Sequence, residues 1–168
     1  MTDAARCIQA LLDETAIKNL HLRYCRGVDR LDWPLVRSCY HPDATDDHGS
    51  YQGGIEGFIA WAAAGLPRFE STTHFTGNQL VEVDGLVAWA EHYAIVFHRR
   101  PASADEPAAD LTANVRYVDR LERRDGEWRI AARVVVVDSN RLDPVGSLWL
   151  SDTLQPGRRD RTDPSYRR

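Results

Sequence analysis

Ser71-Thr72-Thr73-His74-Phe75-Thr76-Gly77-Asn78 is where the hydrophobic period of the chain changes. Upstream, apolar residues recur at spacings of three and four, the repeat of a helix with one buried side. Downstream they alternate, the repeat of a strand. Helices first and long strands afterwards is the order of an α+β domain. Within the octet, Thr72, His74, Thr76 and Asn78 fall on one strand face, and Thr73, Phe75 and Gly77 on the other.

Working back from the octet, Ile8, Leu11, Leu12, Ala16, Ile17, Leu20, Tyr24 and Val28 trace a helical stripe from about Ala4 to Arg30. Asp32 suits the N-cap of a short second helix, with Trp33 and Pro34 in its first turn and His41-Pro42-Asp43 at its end. Ala44 to Gly53 is polar and turn-rich, with room for one or two minor strands around Gly49-Ser50. Gly54 to Gly65 reads as a third helix, apolar along Ile55, Phe58, Ile59 and Ala62 and flanked by Trp61.

Working forward, Thr72–Val83 and Leu86–His98 form strands around Asp84-Gly85, and Leu111–Glu122 and Glu127–Asp138 around Asp125-Gly126. Asp-Gly is a strong signal for a two-residue hairpin loop. Read that way, the first turn pairs Val83 with Leu86 and sets His74 opposite Ile95. Arg99 to Asp110 is a loop by composition. A twisted sheet with the N-terminal helices across it closes into a cone-like α+β barrel around an internal cavity. Residues 1–140 make one domain, and 141–168 read as a C-terminal arm in which Trp149 and Leu150 are docking candidates.

Composition narrows the function. A chain of 168 residues with 43% hydrophobic and 27% charged residues suits one globular core. A net charge of −4 gives no electrostatic reason to expect nucleic acid or an anionic membrane surface. No apolar run is long enough for a membrane span. The residues from Met1 to Arg6 lack the layout of a secretion signal, and Cys7, Cys25 and Cys39 lack metal or disulfide spacing, so the expected compartment is the cytoplasm. The histidines show no His-x-His or His-x-x-x-His spacing, so no metal is expected.

His74 is the leading candidate for chemistry, because imidazole both takes and gives protons near neutral pH. It needs a carboxylate to fix its tautomer, and Asp29, at the end of the long helix, is the candidate. On the next strand Ala88, Ala90, His92, Ala94, Val96 and His98 share a face, against Trp89, Glu91, Tyr93, Ile95 and Phe97. Small residues around a histidine leave room for a ligand, and the bulky face suits a dimer contact. Arg116 with Arg120, and Arg129 with Arg133, read as solvated or intersubunit stripes, with the cavity mouth as the alternative for Arg133.

Tyr24 to Asp29, Asp32-Trp33, the octet around His74 and Glu122 to Trp128 together resemble the SnoaL-like group of the nuclear-transport-factor-2-like superfamily. The resemblance covers roughly residues 10 to 140. Asp29 and His74 are similar to the dyad of hexachlorocyclohexane dehydrochlorinase and scytalone dehydratase, in which the histidine abstracts a proton and the aspartate orients it. His92 resembles a second active-site histidine of scytalone dehydratase, and Tyr24 with Asp29 is similar in spacing to a pair in bile-acid 7α-dehydratase. Val28 stands where scytalone dehydratase has a tyrosine, which argues against that substrate. The resemblance implies a lyase of dehydratase or dehydrohalogenase type, or an isomerase, acting without cofactor on a small, largely apolar cyclic molecule. His92 or Tyr24 would assist the leaving group, with Tyr24 as cavity lining and Val28, Phe58, Trp61, Leu66, Val96 and His48 as the substrate-binding wall. The resemblance also implies a homo-oligomer, a dimer or trimer formed through the sheet. The alternative is a non-catalytic ligand-binding or assembly protein, like a ring-hydroxylating dioxygenase small subunit.

Overall fold

The computed structural model describes residues 2–146 and 153–167; Trp149 and Leu150 lie outside them. Helix α1 (Asp3–Asp29) starts where the Thr2 side chain accepts a hydrogen bond from the Ala5 backbone N–H. Its buried stripe runs from Asp13 through Ile17, Leu20, His21, Tyr24, Cys25 and Val28 to Asp29. Ile8, Leu11 and Leu12, expected in that stripe, are exposed, because the first turns of a helix this long reach beyond the core. Leu31, with φ 52°, turns the chain into α2 (Trp33–Ser38), which is capped by Asp32 accepting from the Leu35 N–H at 3.3 Å. The two helices cross closely at Gly27, where a Cβ would lie 2.8 Å from Val36 Cγ2.

Next come β1 (Tyr40–Asp47), β2 (Gln52–Gly54), α3 (Ile55–Gly65) and a 3-10 turn at Leu66–Arg68. Four long strands follow: β3 (Ser71–Asp84), β4 (Val87–Arg100), β5 (Ala109–Arg124) and β6 (Glu127–Pro144). The sheet order is β2-β1-β6-β5-β4-β3, antiparallel throughout except for the parallel β1–β6 pair. This is the expected α+β arrangement, with two short strands added at one edge of the sheet. The pairing of β6 with β5 continues past residue 140, as far as Pro144 with Ala109.

The hairpins differ in an instructive way. Asp125 and Gly126 both take positive φ, 53° and 85°, and form the expected two-residue loop between Arg124 and Glu127. In the first hairpin the loop is Gly85-Leu86, with Gly85 at φ 61°, so Asp84 pairs with Val87. A bulge at Gly77-Asn78 takes up one residue, and His74 therefore lies opposite Val96 rather than Ile95. Beyond the bulge the inward positions are Gln79, Val81 and Val83, and Asn78 is exposed.

The phase of β4 is as expected. Ala88, Ala90, His92, Ala94 and Val96 are buried against the helices, while Trp89, Tyr93, Ile95 and Phe97 are exposed on the far face. Arg116 is on that outer face and binds Glu91 and Asp138. Arg133 is not on it. A register shift in β6 at Ala131 changes the phase of the strand, so Arg129 stays outside and Arg133 turns into the core, where it is 1% exposed. The shared arginine face expected for Arg129 and Arg133 does not form.

Residues 153–167 pack back on the domain. Asp163 accepts from the Ser165 N–H, and Arg161 and the Tyr166 hydroxyl both reach the Asp32 carboxylate. No helix among the described residues is long and apolar enough to cross a membrane.

Candidate active site

Asp29 ends α1 beside the first residues of β3. One carboxylate oxygen accepts from His74 Nδ1–H at 2.7 Å and the other from the His74 backbone N–H at 3.0 Å. A carboxylate accepts only, so the proton sits on Nδ1 and Nε2 is the nitrogen left to meet a ligand. Gripping ring and backbone together fixes both the tautomer and the direction of the imidazole. Both side chains are largely buried, 7% exposed for His74 and 11% for Asp29. Arg159 braces this corner from outside, donating to the carbonyls of Leu66 at 3.0 Å and Phe69 at 2.6 Å.

The imidazole opens on a cavity of about 310 Å³ between the sheet and α1 and α3, near the lower end of ligand-site sizes. Tyr24, Val28, His48, Phe58, Trp61, Leu66 and Val96, the expected wall residues, all line it with His74. The helical phase of α1 and α3 and the alternation of β4 place five of them, while His48 follows β1 and Leu66 opens the 3-10 turn after α3. Asp29 stands behind His74. A wider, more open groove along α1 and α2, lined by Asn19, Arg23 and Leu35, carries no such dyad.

His92 does not line the cavity. It is fully buried in the layer behind it, with its ring stacked on His21 at 4.0 Å between centroids and 6° between planes. Burial is the main cause that lowers its pKa to about 4, against the opposing effect of Asp119. The expectation that His92 assists a leaving group does not fit this position, because Ala94 and Val96 carry β4 past the site and the His92 ring meets α1 instead of open volume.

Sequence reasoning missed His98, which lies two residues beyond Val96 in the same phase. It lines the cavity with its ring centroid 6.0 Å from that of His74, and burial lowers its pKa to about 4. The alternation of β4 carried that signal. Tyr117, Val115 and Val135 complete the wall from β5 and β6.

Arg133 organises the buried layer. It binds Asp119 through Nε at 2.7 Å and Nη2 at 2.6 Å, donates to the Tyr40 hydroxyl at 3.2 Å, and lies 4.1 Å over the ring of Tyr24. Burial pushes the hydroxyls of Tyr24, Tyr40 and Tyr117 well above the ordinary tyrosine range, so they stay neutral donors. Donor atoms of His21, His92 and Asp119 lie within 4.8 Å of one another. They do not fit a metal, because the guanidinium already occupies both Asp119 oxygens and puts a positive charge where the cation would sit.

A SnoaL-like domain model matches residues 9–134. The chain belongs to the SnoaL-like family. Similar solved structures include a variant of Rv3472 of Mycobacterium tuberculosis, described as of unknown function. It is 27% identical over 79% of this chain and 75% of its own, with a TM-score of 0.67. Hexachlorocyclohexane dehydrochlorinase LinA-type3 of Novosphingobium barchaimii is 19% identical over 86% and 97%, with a TM-score of 0.71. A proposed scytalone dehydratase of Novosphingobium aromaticivorans is 16% identical over 83% and 97%, with a TM-score of 0.68. At such identities these last two speak for a common fold alone. Among curated proteins, none matches this SnoaL-like chain in sequence.

Proposed function

We propose that this SnoaL-like protein is a cofactor-independent lyase in which His74, oriented by Asp29, removes a proton from a small, largely apolar cyclic substrate. The observation that carries the reading is the His74–Asp29 pair, bonded through Nδ1 at 2.7 Å, at the wall of an apolar cavity that still holds open volume. A neutral imidazole with its proton pinned on Nδ1 offers Nε2 as the base. The buried carboxylate then stabilises the imidazolium that forms. Tyr24 supplies a neutral hydroxyl at the same wall, suited to a developing enolate oxygen. Isomerisation begins with the same abstraction and is the second outcome. The volume suits a molecule of one or two rings.

The proposal includes a homo-oligomer formed through the outer sheet face, supported by the exposed Trp89, Tyr93, Ile95 and Phe97. The catalytic reading is tested by mixing the protein with 3-hydroxycyclohexan-1-one and following the absorbance of the enone. Turnover that disappears in His74→Ala supports it, and turnover unchanged in that variant removes His74 as the base.

A further inference from the structure

A second histidine–carboxylate pair faces the same cavity. His48 follows β1 and His74 lies on β3, so the two imidazoles reach the cavity from opposite parts of the sheet. Nδ1 of His48 bonds to Asp46 Oδ1. Asp46 is 1% exposed, and its other oxygen accepts from the Tyr40 hydroxyl at 2.8 Å. Tyr40 in turn accepts from Arg133. The outer nitrogen of His48, Nε2, meets the Tyr24 hydroxyl at 3.4 Å at the cavity wall, and the ring stacks on Phe58 at 4.6 Å.

The charges of this connected network do not balance without a further proton. Arg133 contributes one positive charge, and Asp119 and Asp46 contribute two negative ones. A buried net charge is costly. His21 and His92 are poorly suited to supply the missing positive charge, since burial above all lowers both. His48 is bonded directly to Asp46 and touches the cavity. The other ionisable groups facing that space are Tyr24, Tyr117, His74, His98 and Arg68.

We infer that His48, held by Asp46, is the proton donor complementary to His74, and that the substrate loses a hydroxyl-type oxygen rather than a halide. This rests on the reading of His74 as base. Nε2 of His74 takes the proton from the carbon next to a carbonyl, and the electron pair of that C–H bond becomes the new C=C bond. The C–O bond at the next carbon breaks with its pair going to oxygen, which takes the His48 Nε2 proton and leaves as water. His74 passes its proton to solvent, His48 recovers one, and nothing is oxidised or reduced. Hydroxide is a poor leaving group and needs that proton. Chloride leaves as the anion and does not.

The test compares 3-hydroxycyclohexan-1-one with 3-chlorocyclohexan-1-one, which share one enone product. His48→Gln should lower turnover of the hydroxy ketone by about 100-fold or more, in the range for general acids, and by at least about tenfold more than that of the chloro ketone. His74→Gln should lower both. If His48→Gln lowers both equally, or neither, the acid assignment is overturned while the base stands. If His74→Gln spares both, the base reading fails separately. Ring-nitrogen NMR of the free wild-type protein gives a substrate-free arm near pH 7. Both nitrogens of His48 protonated supports the donor, and a neutral ring overturns it. That spectrum decides if neither ketone is converted.

Discussion

Replacing Arg133 with methionine should be the most destabilising single change in the layer behind the cavity. The Arg133 side chain is fully buried, and the Asp119 carboxylate it binds is 1% exposed. Methionine fills much of the volume but leaves the Asp119 carboxylate without a cation, since its His92 neighbour at 3.8 Å is kept neutral by burial. Removing one partner of a buried ion pair costs about 3–5 kcal/mol, because the other charge stays desolvated. Against a total stability of about 5–15 kcal/mol that is a large share. For a domain of this size it corresponds to a Tm drop of about 6–20 °C. Urea unfolding of wild type, Arg133→Met, Asp119→Leu and the double variant gives the cycle. The double variant should recover at least half the loss, since neither charge remains. The deficit of Arg133→Met should also shrink as the pH falls from about 7 toward 5, because a lone buried carboxyl is raised and takes up a proton. A single-variant loss under about 1 kcal/mol, or a double variant no better than the worse single one, would refute the account of this layer.

Asp29→Asn should lower turnover of 3-hydroxycyclohexan-1-one by about 10²–10⁴-fold while the far-ultraviolet dichroism is unchanged, because an amide cannot hold the imidazolium. Wild-type stability should fall as the pH drops below 6.5: the pKa values of His92 and His98 are lowered by folding to about 4, so the unfolded chain binds more protons between those values. Thermal scans from about pH 8 to 4 measure this, and His98→Phe should flatten the slope. Gly27→Ala should cost about 1–3 kcal/mol by overpacking, since the added Cβ meets Val36 Cγ2 at 2.8 Å and the Val36 backbone nitrogen at 3.2 Å; urea midpoints report it. Phe97→Glu should shift the mass measured by light scattering from an oligomer to a single chain, and an unchanged mass would remove the outer sheet face from the assembly.

The fold was legible because it rests on periods. Apolar spacing in α1 and α3, alternation in β4 and two Asp-Gly turns depend only on neighbours along the chain. The wall of the cavity was legible for the same reason. Once the phase of each element is known, Tyr24, Val28, Phe58 and Val96 fall on inward faces, and Trp61 flanks that of α3. His92 shows the limit: it has the inward phase too, but phase does not say whether an inward residue meets open volume or a packed helix. Composition marks the tail only as a C-terminal arm, yet Arg159 and Arg161 reach backbone carbonyls and Asp32 far away in sequence.

The octet from Ser71 to Asn78 carried the strand, the inward direction of His74 and the chemistry of an imidazole. It did not contain the partner. Asp29 is 45 residues earlier, and only the packing of the end of α1 on β3 brings its carboxylate to 2.7 Å from Nδ1. Tertiary structure also decided the bulge that moves His74 opposite Val96 and the shift at Ala131 that turns Arg133 inward. One extra residue in a strand reverses every side chain beyond it, and where that residue is taken up depends on the neighbouring strands rather than on the local sequence.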